Sequence, residues 1–174
     1  MSERPWLVVV DPQRVFADPA SPWGSPMFEA ALPAIEALAA RHHGRVIVTR
    51  WLPQLPARRR GSWHAYFEEW PFADRPPGDP LFDLVPAAQQ IAATPLDVHT
   101  FGKWPALEQV TGPAPELILA GVSTDCCVLS TALAAADAGA TVRVEAAACA
   151  GSTPEAHERA LGAMALYAPQ ITVA

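Results

Sequence analysis

Short, unbroken apolar runs alternate along the chain with segments of helical periodicity, and this alternation constrains the fold more than any other feature. The apolar runs Trp6 to Val10, Arg45 to Trp51 and Glu116 to Val122 are rich in β-branched and aliphatic residues. Such runs are typical of strands that are covered on both faces. Between them, Phe28 to about His42 and Thr124 to Ala138 carry apolar residues at helical spacing.

The same alternation continues to the end of the chain. Three further short strands are predicted at "LDVHT", "TVRVEA" and "ITVA", and a last helix is predicted from Pro154 to Leu166. Because crossovers between parallel strands are right-handed, such units place helices on both faces of one sheet. We therefore predict a single domain over residues 1–174 with a doubly wound, three-layer α/β/α fold and a mainly parallel sheet of about six strands.

Residues 52–86 interrupt this pattern, and we call this segment the excursion. It is rich in proline and aromatic residues and shows no sustained periodicity. Short helices are predicted around Trp63 to Glu69 and from Leu81 to Gln89. Long segments of this kind in compact domains usually act as lids or bind partners.

The composition argues against several classes of function. A net charge of −6 disfavours a surface for nucleic acid, because such surfaces depend on Lys and Arg. Three cysteines, two of them adjacent, do not form a disulfide framework, so free thiols are expected. No apolar run reaches the roughly 18 residues needed to span a membrane, and the start lacks the pattern of a secretion signal. We expect a cytoplasmic protein with no membrane partner.

Chemically active side chains follow the predicted strands. Asp11 follows the first strand, Trp51 the second and Lys103 the third, and the pair Cys126 and Cys127 follows the fourth. In doubly wound sheets, ligands bind beyond the carboxyl ends of the strands. We therefore expect an acid, a base and a thiol to converge at this edge, although each residue alone also has an ordinary structural explanation.

The two adjacent cysteines are predicted to lie in the first turn of a helix, with Thr124 or Asp125 as the N-cap. Unpaired N–H groups and the helix dipole favour a thiolate at this place. Helical spacing puts Cys126 on a larger apolar stripe suited to burial, so Cys127 is the better candidate nucleophile. The alternative is that a free cysteine is a small buried hydrophobe, which is what we expect of Cys149.

Three stretches have the character of motifs: "VVVDPQRVF", "FGKW" and "AGVSTDCCVLSTALAAADAGATVRV". They closely resemble the motifs of the isochorismatase-like cysteine hydrolase superfamily, and the resemblance spans nearly the whole chain. It implies an isochorismatase-like, Rossmann-like fold and a catalytic triad of Asp11, Lys103 and Cys127. It also implies that the backbone N–H groups of Ser123 and Cys127 hold an oxyanion, and that the Val122–Ser123 peptide is cis.

The activity implied by the resemblance is cysteine-dependent hydrolysis of an amide-type C–N bond in a small molecule, through a thioester. Three alternatives stay open. The first is a non-catalytic binding or scaffold protein of the same fold. The second is a vinyl-ether hydrolase of the isochorismatase type, whose chemistry does not need the cysteine. The third is a redox role for Cys126 and Cys127, which lack the Cys-x-x-Cys spacing of thiol oxidoreductases.

Aromatic residues after the strands and in the excursion predict the walls of a substrate pocket. The expected substrate contacts are Phe16, Trp51, Trp63, Trp104 and Val122. The alternative is that these rings pack the excursion onto the sheet or form a subunit interface. Because members of this superfamily commonly form dimers or tetramers, we expect a homodimer or a higher homo-oligomer.

The metal site that nicotinamidases of this superfamily carry is not expected in this chain. Their pattern after the second strand is Thr-x-Asp-x-His, whereas here Thr49 is followed by Trp51 and Pro53 at the ligand positions. His64 alone does not build a metal site. We therefore predict a hydrolase without a metal or other cofactor, and nicotinamide becomes a less favoured substrate.

Overall fold

A single six-stranded sheet forms the centre of the computed structural model, which describes residues 4–92 and 94–174. The strands are β1 (Trp6–Val10), β2 (Val46–Trp51), β3 (Leu96–Val98), β4 (Glu116–Val122), β5 (Thr141–Ala150) and β6 (Ile171–Val173). Their order across the sheet is β3-β2-β1-β4-β5-β6, and all neighbours are parallel. The predicted parallel α/β sheet of about six strands is confirmed.

Helices cover both faces of this sheet and complete the three layers. In the described part of the chain they are α1 (Arg14–Ala17), α2 (Phe28–Arg41), α3 (Trp63–Glu69), α4 (Pro86–Ile91), α5 (Trp104–Thr111), α6 (Leu129–Asp137) and α7 (Pro154–Ala165). On one face α2 packs against β1, β4 and β5. Residues of α5, α6 and α7 join the apolar cluster on the other face. None of the described helices has the length and apolar character that crossing a bilayer requires.

The first strand shows why its sequence is an unbroken apolar run. Leu7 and Val9 belong to the apolar cluster on the α2 face, whereas Val8 and Val10 belong to the cluster on the α6 face. All four side chains are fully buried. A strand that is buried on both faces has no position left for a polar side chain, so polar and apolar residues do not alternate.

The winding of the sheet reverses between β1 and β4. The chain leaves β1 toward β2 on one side and leaves β4 toward β5 on the other. Loops that diverge in this way leave a crevice beyond the carboxyl ends of the two central strands. Asp11 directly follows β1 and Ser123 directly follows β4, with Val10 paired to Gly121 in the parallel register. The fold thus brings the first and third motifs to one place.

The excursion differs from the prediction near its end. The short helix α3 agrees with the sequence pattern, but residues 81–89 do not form one continuous helix. A 3₁₀ turn covers Pro80–Phe82, and α4 begins only at Pro86. Val85 has an extended backbone, with φ −63° and ψ 151°, because a residue that precedes proline avoids the α region.

The fifth strand is longer than the predicted Thr141–Ala146. It continues to Ala150, and its pairing with β4 shifts register between Leu119 and Gly121. Cys149, which was expected after the strand, lies within it and is buried as a core residue. The added part is rich in alanine, which is depleted in strands, so the pattern predicts too early an end. The short α1 likewise lies where the prolines predict only a loop.

The close approach of β1 and β4 predicts that Gly121→Ala destabilises the protein. Gly121 has a φ of +114°, and a Cβ atom there would lie 2.2 Å from the carbonyl oxygen of Val10. We expect the free energy of unfolding in urea to fall by about 3 kcal/mol or more. Gly162→Ala is the control, because a Cβ on this α7 residue meets nothing within 4 Å. It should raise the free energy of unfolding by about 1 kcal/mol, and equal stability of the two variants would contradict the analysis.

Candidate active site

Cys127 lies in the first turn after β4, and this turn is π-helical. The π turn spans Thr124–Val128, and the N–H of Val128 donates to the carbonyl oxygen of Ser123, five residues earlier, over 3.1 Å. The peptide bond between Val122 and Ser123 is cis, as the resemblance implies. Both Ser123 and Cys127 line a cavity at the crevice between the central strands. The two residues whose N–H groups are expected to hold an oxyanion therefore border the same space.

The predicted N-cap role of Thr124 or Asp125 is wrong. The turn begins after Ser123, and no side chain caps it. Thr124 is instead hydrogen-bonded to Nδ1 of His157 in α7, at 2.8 Å. The Asp125 carboxylate accepts hydrogen bonds of 2.7 Å from the backbone N–H and the hydroxyl of Ser152. The two polar residues before the cysteines thus fasten the π turn to α7 and to the loop that precedes it.

Asp11 and Lys103 form a fully buried ion pair. Lys103 Nζ lies 2.7 Å from Asp11 Oδ2, and neither side chain is exposed. The ammonium also donates to the carbonyl oxygen of Thr100 over 2.7 Å. The other carboxylate oxygen of Asp11 accepts a 2.7 Å hydrogen bond from the Thr49 hydroxyl, which in turn accepts one from the Asp11 N–H at 3.1 Å. Each charge is therefore held by its counter-charge and by at least one neutral group.

A threonine of α6 links this ion pair to the nucleophile turn. The backbone N–H of Lys103 donates to the Thr131 hydroxyl over 3.0 Å, and that hydroxyl donates to the carbonyl oxygen of Cys127 over 2.6 Å. Sequence reasoning singled out neither Thr131 nor Thr49. The only signal in the sequence is that a hydroxyl stands at an otherwise buried position of a helix or strand, where it needs a partner.

The burial of the two adjacent thiols is the reverse of what the helical spacing predicts. Cys127 is only 2% exposed, whereas Cys126, the predicted packing neighbour, is half-buried and lines the same cavity. A hydrogen bond between the two thiols, together with burial, raises the pKa of Cys127 well above its ordinary value, although Lys103 opposes this. The same hydrogen bond lowers the pKa of Cys126. The direction of the Cys127 shift is opposite to the lowering that the start of a helix predicts.

The cavity above these residues has a volume of about 210 Å³. Its aromatic lining consists of Phe16, Trp23, Tyr66 and Phe101, with Pro22 and Gly24 also at the cavity. The remaining lining residues are Ser123, Asp125, Cys126, Cys127 and Ser152. Phe16 is the one predicted substrate contact that the structure places on this cavity.

The other four predicted substrate contacts lie elsewhere. Trp51 is fully buried, because its ring packs between other aromatic rings of the apolar cluster on the α2 face. Val122 belongs to the same cluster, and Trp104 is buried in the cluster on the α6 face of the sheet. Trp63 lines a separate cavity in the excursion and supports the first one from behind, through ring contacts with Tyr66 and Phe101. Position at a strand end therefore predicted the meeting of Asp11 and Lys103 correctly, but it did not predict which aromatic residues line the cavity.

The residues at the nicotinamidase metal positions do not fit a metal ion. Trp51 offers no ligand atom and is enclosed by aromatic rings, and Pro53 has no side-chain donor. His64 is exposed on α3. Within residues 4–92 and 94–174, no group of three or more His, Cys, Asp or Glu side chains is placed to hold an ion.

The buried ion pair predicts strong coupling between its partners. Lys103→Met should lower the free energy of unfolding by about 3–5 kcal/mol, because it leaves the Asp11 carboxylate buried without a counter-charge. The double variant Asp11→Asn, Lys103→Met removes that charge and should recover a large part of the loss. Urea denaturation of the four proteins in this cycle measures the coupling. Additive losses in the double variant would show that the two groups do not interact as the geometry indicates.

The pKa directions predict which thiol reacts first with iodoacetamide in the native protein. The lowered pKa of Cys126 keeps its thiolate present at pH values where an ordinary cysteine is protonated, so its labelling should extend to lower pH. Burial raises the pKa of Cys149 to about 12, so this thiol should stay protonated and unlabelled near neutral pH. Peptide mass spectrometry after brief alkylation measures the order. Labelling of Cys149 ahead of Cys126 would contradict the assignment.

Comparisons with solved structures identify the fold. The isochorismatase-like hydrolase of Alkaliphilus metalliredigens superposes with a TM-score of 0.73 at 18% identity, over 96% of this chain and 90% of that one. The cysteine hydrolase of Pseudomonas syringae pv. phaseolicola gives a TM-score of 0.75 at 17% identity, over 99% and 94%. The pyrazinamidase of Pyrococcus horikoshii, solved in complex with zinc, superposes with a TM-score of 0.68 at 23% identity, over 97% of each chain.

Sequence comparison identifies the family. No curated protein sequence is significantly similar to this chain. The isochorismatase domain, however, matches residues 5–174, which is nearly the whole sequence. Together with the six-stranded parallel sheet and the three motifs gathered at its switch point, this match shows that the chain belongs to the isochorismatase family of hydrolases.

Proposed function

We propose that the chain is a cysteine-dependent hydrolase that cleaves an amide-type C–N bond of a small molecule through a thioester. The observation that carries this proposal is the buried Asp11–Lys103 ion pair, linked through Thr131 to Cys127 on the wall of a cavity. Burying two charges costs desolvation energy, and such pairs are concentrated at functional sites. An acid, a cation and a thiol are also the groups that covalent acyl transfer requires.

In the first step, Asp11 accepts the thiol proton of Cys127 as the sulfur attacks the carbonyl carbon of the substrate. The raised pKa of Cys127 favours the protonated thiol, so the attack needs a base. The substrate oxygen becomes an oxyanion, for which we assign the backbone N–H groups of Ser123 and Cys127 as donors. Lys103 holds the Asp11 carboxylate in place and supplies the positive charge nearest to the reacting groups.

Collapse of the tetrahedral intermediate breaks the C–N bond, and Asp11 passes its proton to the departing nitrogen. The acyl group stays on Cys127 as a thioester. Water then attacks the thioester carbon and gives a proton to Asp11, the C–S bond breaks, and the proton returns to the sulfur. The net reaction consumes one water, releases one carboxylic acid and one amine or ammonia, and restores the site.

The structural relatives support an amide as the substrate. One of them is a pyrazinamidase, and another is a nicotinamidase/pyrazinamidase of Bacillus subtilis. The zinc of the Pyrococcus protein plays no part in the steps proposed here, because Trp51 and Pro53 supply no ligand atoms. We therefore propose a metal-independent reaction. The presence of Cys127 favours C–N hydrolysis over vinyl-ether cleavage, which does not need the thiol.

Two other expectations stay predictions. One is assembly into a homodimer or a higher homo-oligomer, for which the exposed apolar side chains of Leu55, Leu166 and Tyr167 offer surface. The other is a cytoplasmic location, which the free cysteines favour.

Replacing the nucleophile tests the proposal. A screen of small amides and carbamoyl compounds for ammonia release should identify a substrate, and Cys127→Ala should lower kcat/KM on it by about 10³-fold or more. Acid-quenched wild-type protein should carry the acyl group on the peptide that contains Cys127, as measured by mass spectrometry. Full activity of Cys127→Ala on a confirmed substrate would refute the mechanism.

Cys149→Ala is the matched control for this experiment. Cys149 is equally buried, but its sulfur lies 3.7 Å from the carbonyl oxygen of Leu119 in the core and it does not line the cavity. Its replacement removes a thiol without touching the proposed site. The variant should therefore keep the wild-type rate and carry the same acyl adduct.

A further inference from the structure

The aromatic side of the cavity is a continuous wall of rings. Phe16 and Trp23 lie parallel, with an interplanar angle of 5° and centroids 6.1 Å apart. Trp23 meets Tyr66 at 5.8 Å, and Tyr66 meets Phe101 edge-on at 5.3 Å. Further rings hold this wall from outside the cavity, including Phe72 at 4.8 Å from Trp23. The rings thus support one another and give the cavity an aromatic lining.

Asp125 is the single charged residue among the described residues that line the cavity. Its carboxylate is fixed by two hydrogen bonds from Ser152, so its negative charge stays at the cavity. Among the described residues that line the cavity, there is no Arg, Lys or His. Lys103 is buried and paired with Asp11, and Arg59 of the excursion is bound to Asp74 and stacked on Phe67.

We infer that this cavity selects planar amides that are neutral or cationic and rejects those that carry a negative charge. This inference rests on the proposed function, because the amide is the group that Cys127 is proposed to attack. Faces of Trp and Tyr rings attract a cation through their quadrupole, and a flat group stacks on them. A carboxylate on the substrate meets the Asp125 charge, and the described residues that line the cavity include no cation to offset the repulsion.

The wall and the acid act in the same direction. Binding of a positive group is favoured by the ring faces and by Asp125, while binding of a neutral group is favoured only by stacking. Both the rings and Asp125 disfavour binding of a negative group, because the π face of a ring is itself negative. The charge of the part of the substrate that does not react should therefore set the affinity, while the reacting amide stays the same.

Binding of three matched benzamides to Cys127→Ala protein tests this inference without depending on turnover. The three ligands carry a carboxamide, a carboxylate or an aminomethyl group at the meta position, so they differ in charge and hardly in shape. Isothermal titration should give the aminomethyl compound the lowest Kd and the carboxylate the highest. The carboxylate should bind about tenfold or more weakly than the carboxamide.

A charge-matched pair of variants locates the cause. Asp125→Asn keeps a hydrogen-bonding group opposite Ser152 and should lower the ratio of the carboxylate Kd to the carboxamide Kd. Asp137→Asn removes one negative charge from the exposed far end of α6 and should leave this ratio unchanged. Trp23→Leu should raise the Kd of the aminomethyl compound by a factor about threefold or more larger than the factor for the carboxamide.

The outcomes separate this inference from the proposed function. A carboxylate that binds as tightly as the carboxamide, or failure of all three ligands to bind, would overturn the inference. An equal response of the two aspartate variants would overturn the role of Asp125. If the order of affinities holds but protein with Cys127 intact hydrolyses no amide, the cavity is assigned correctly and the proposed reaction is wrong.

Discussion

The buried ion pair between Asp11 and Lys103 is the interaction on which the rest of the site depends. Two charges without access to solvent are tolerated only if each is neutralised and hydrogen-bonded, so their neighbours have little freedom. Thr49 fixes the acid from the end of β2, and Thr131 fixes the lysine backbone from α6. These hydrogen bonds tie β2 and α6 to the two residues of the ion pair, and Thr131 extends the connection to the turn that carries Cys127.

The turn that carries Cys127 is also held in place by hydrogen bonds to other parts of the fold. Its two polar residues do not cap the helix, as Ser, Thr and Asp commonly do at such positions, but reach to Ser152 and His157 near the start of α7. The turn is therefore fastened to the outer layer of the fold as well as to the sheet.

Sequence reasoning predicted the sheet and the meeting of Asp11 and Lys103 well and the cavity wall poorly, for physical reasons. Buried parallel strands leave a local signal, because every residue from Leu7 to Val10 must be apolar, and strand ends then locate Asp11 and Lys103. The aromatic wall is built from α1, the loop after it, the excursion and Phe101 after β3, so it depends on contacts between residues distant in sequence. Trp51 and Trp23 look alike in the sequence, yet only packing decides that one is core and the other lines the cavity.

The origins of the two cavity sides have a consequence for how such a protein diversifies. The π turn brings Asp125 and both adjacent cysteines to the cavity and is tied to the sheet and to α7. Most of the aromatic lining comes from the stretch around Trp23 and from the excursion, which lie outside the sheet. Substitutions in those two segments can therefore reshape the aromatic lining while the turn that carries the charge and the thiols keeps its hydrogen bonds.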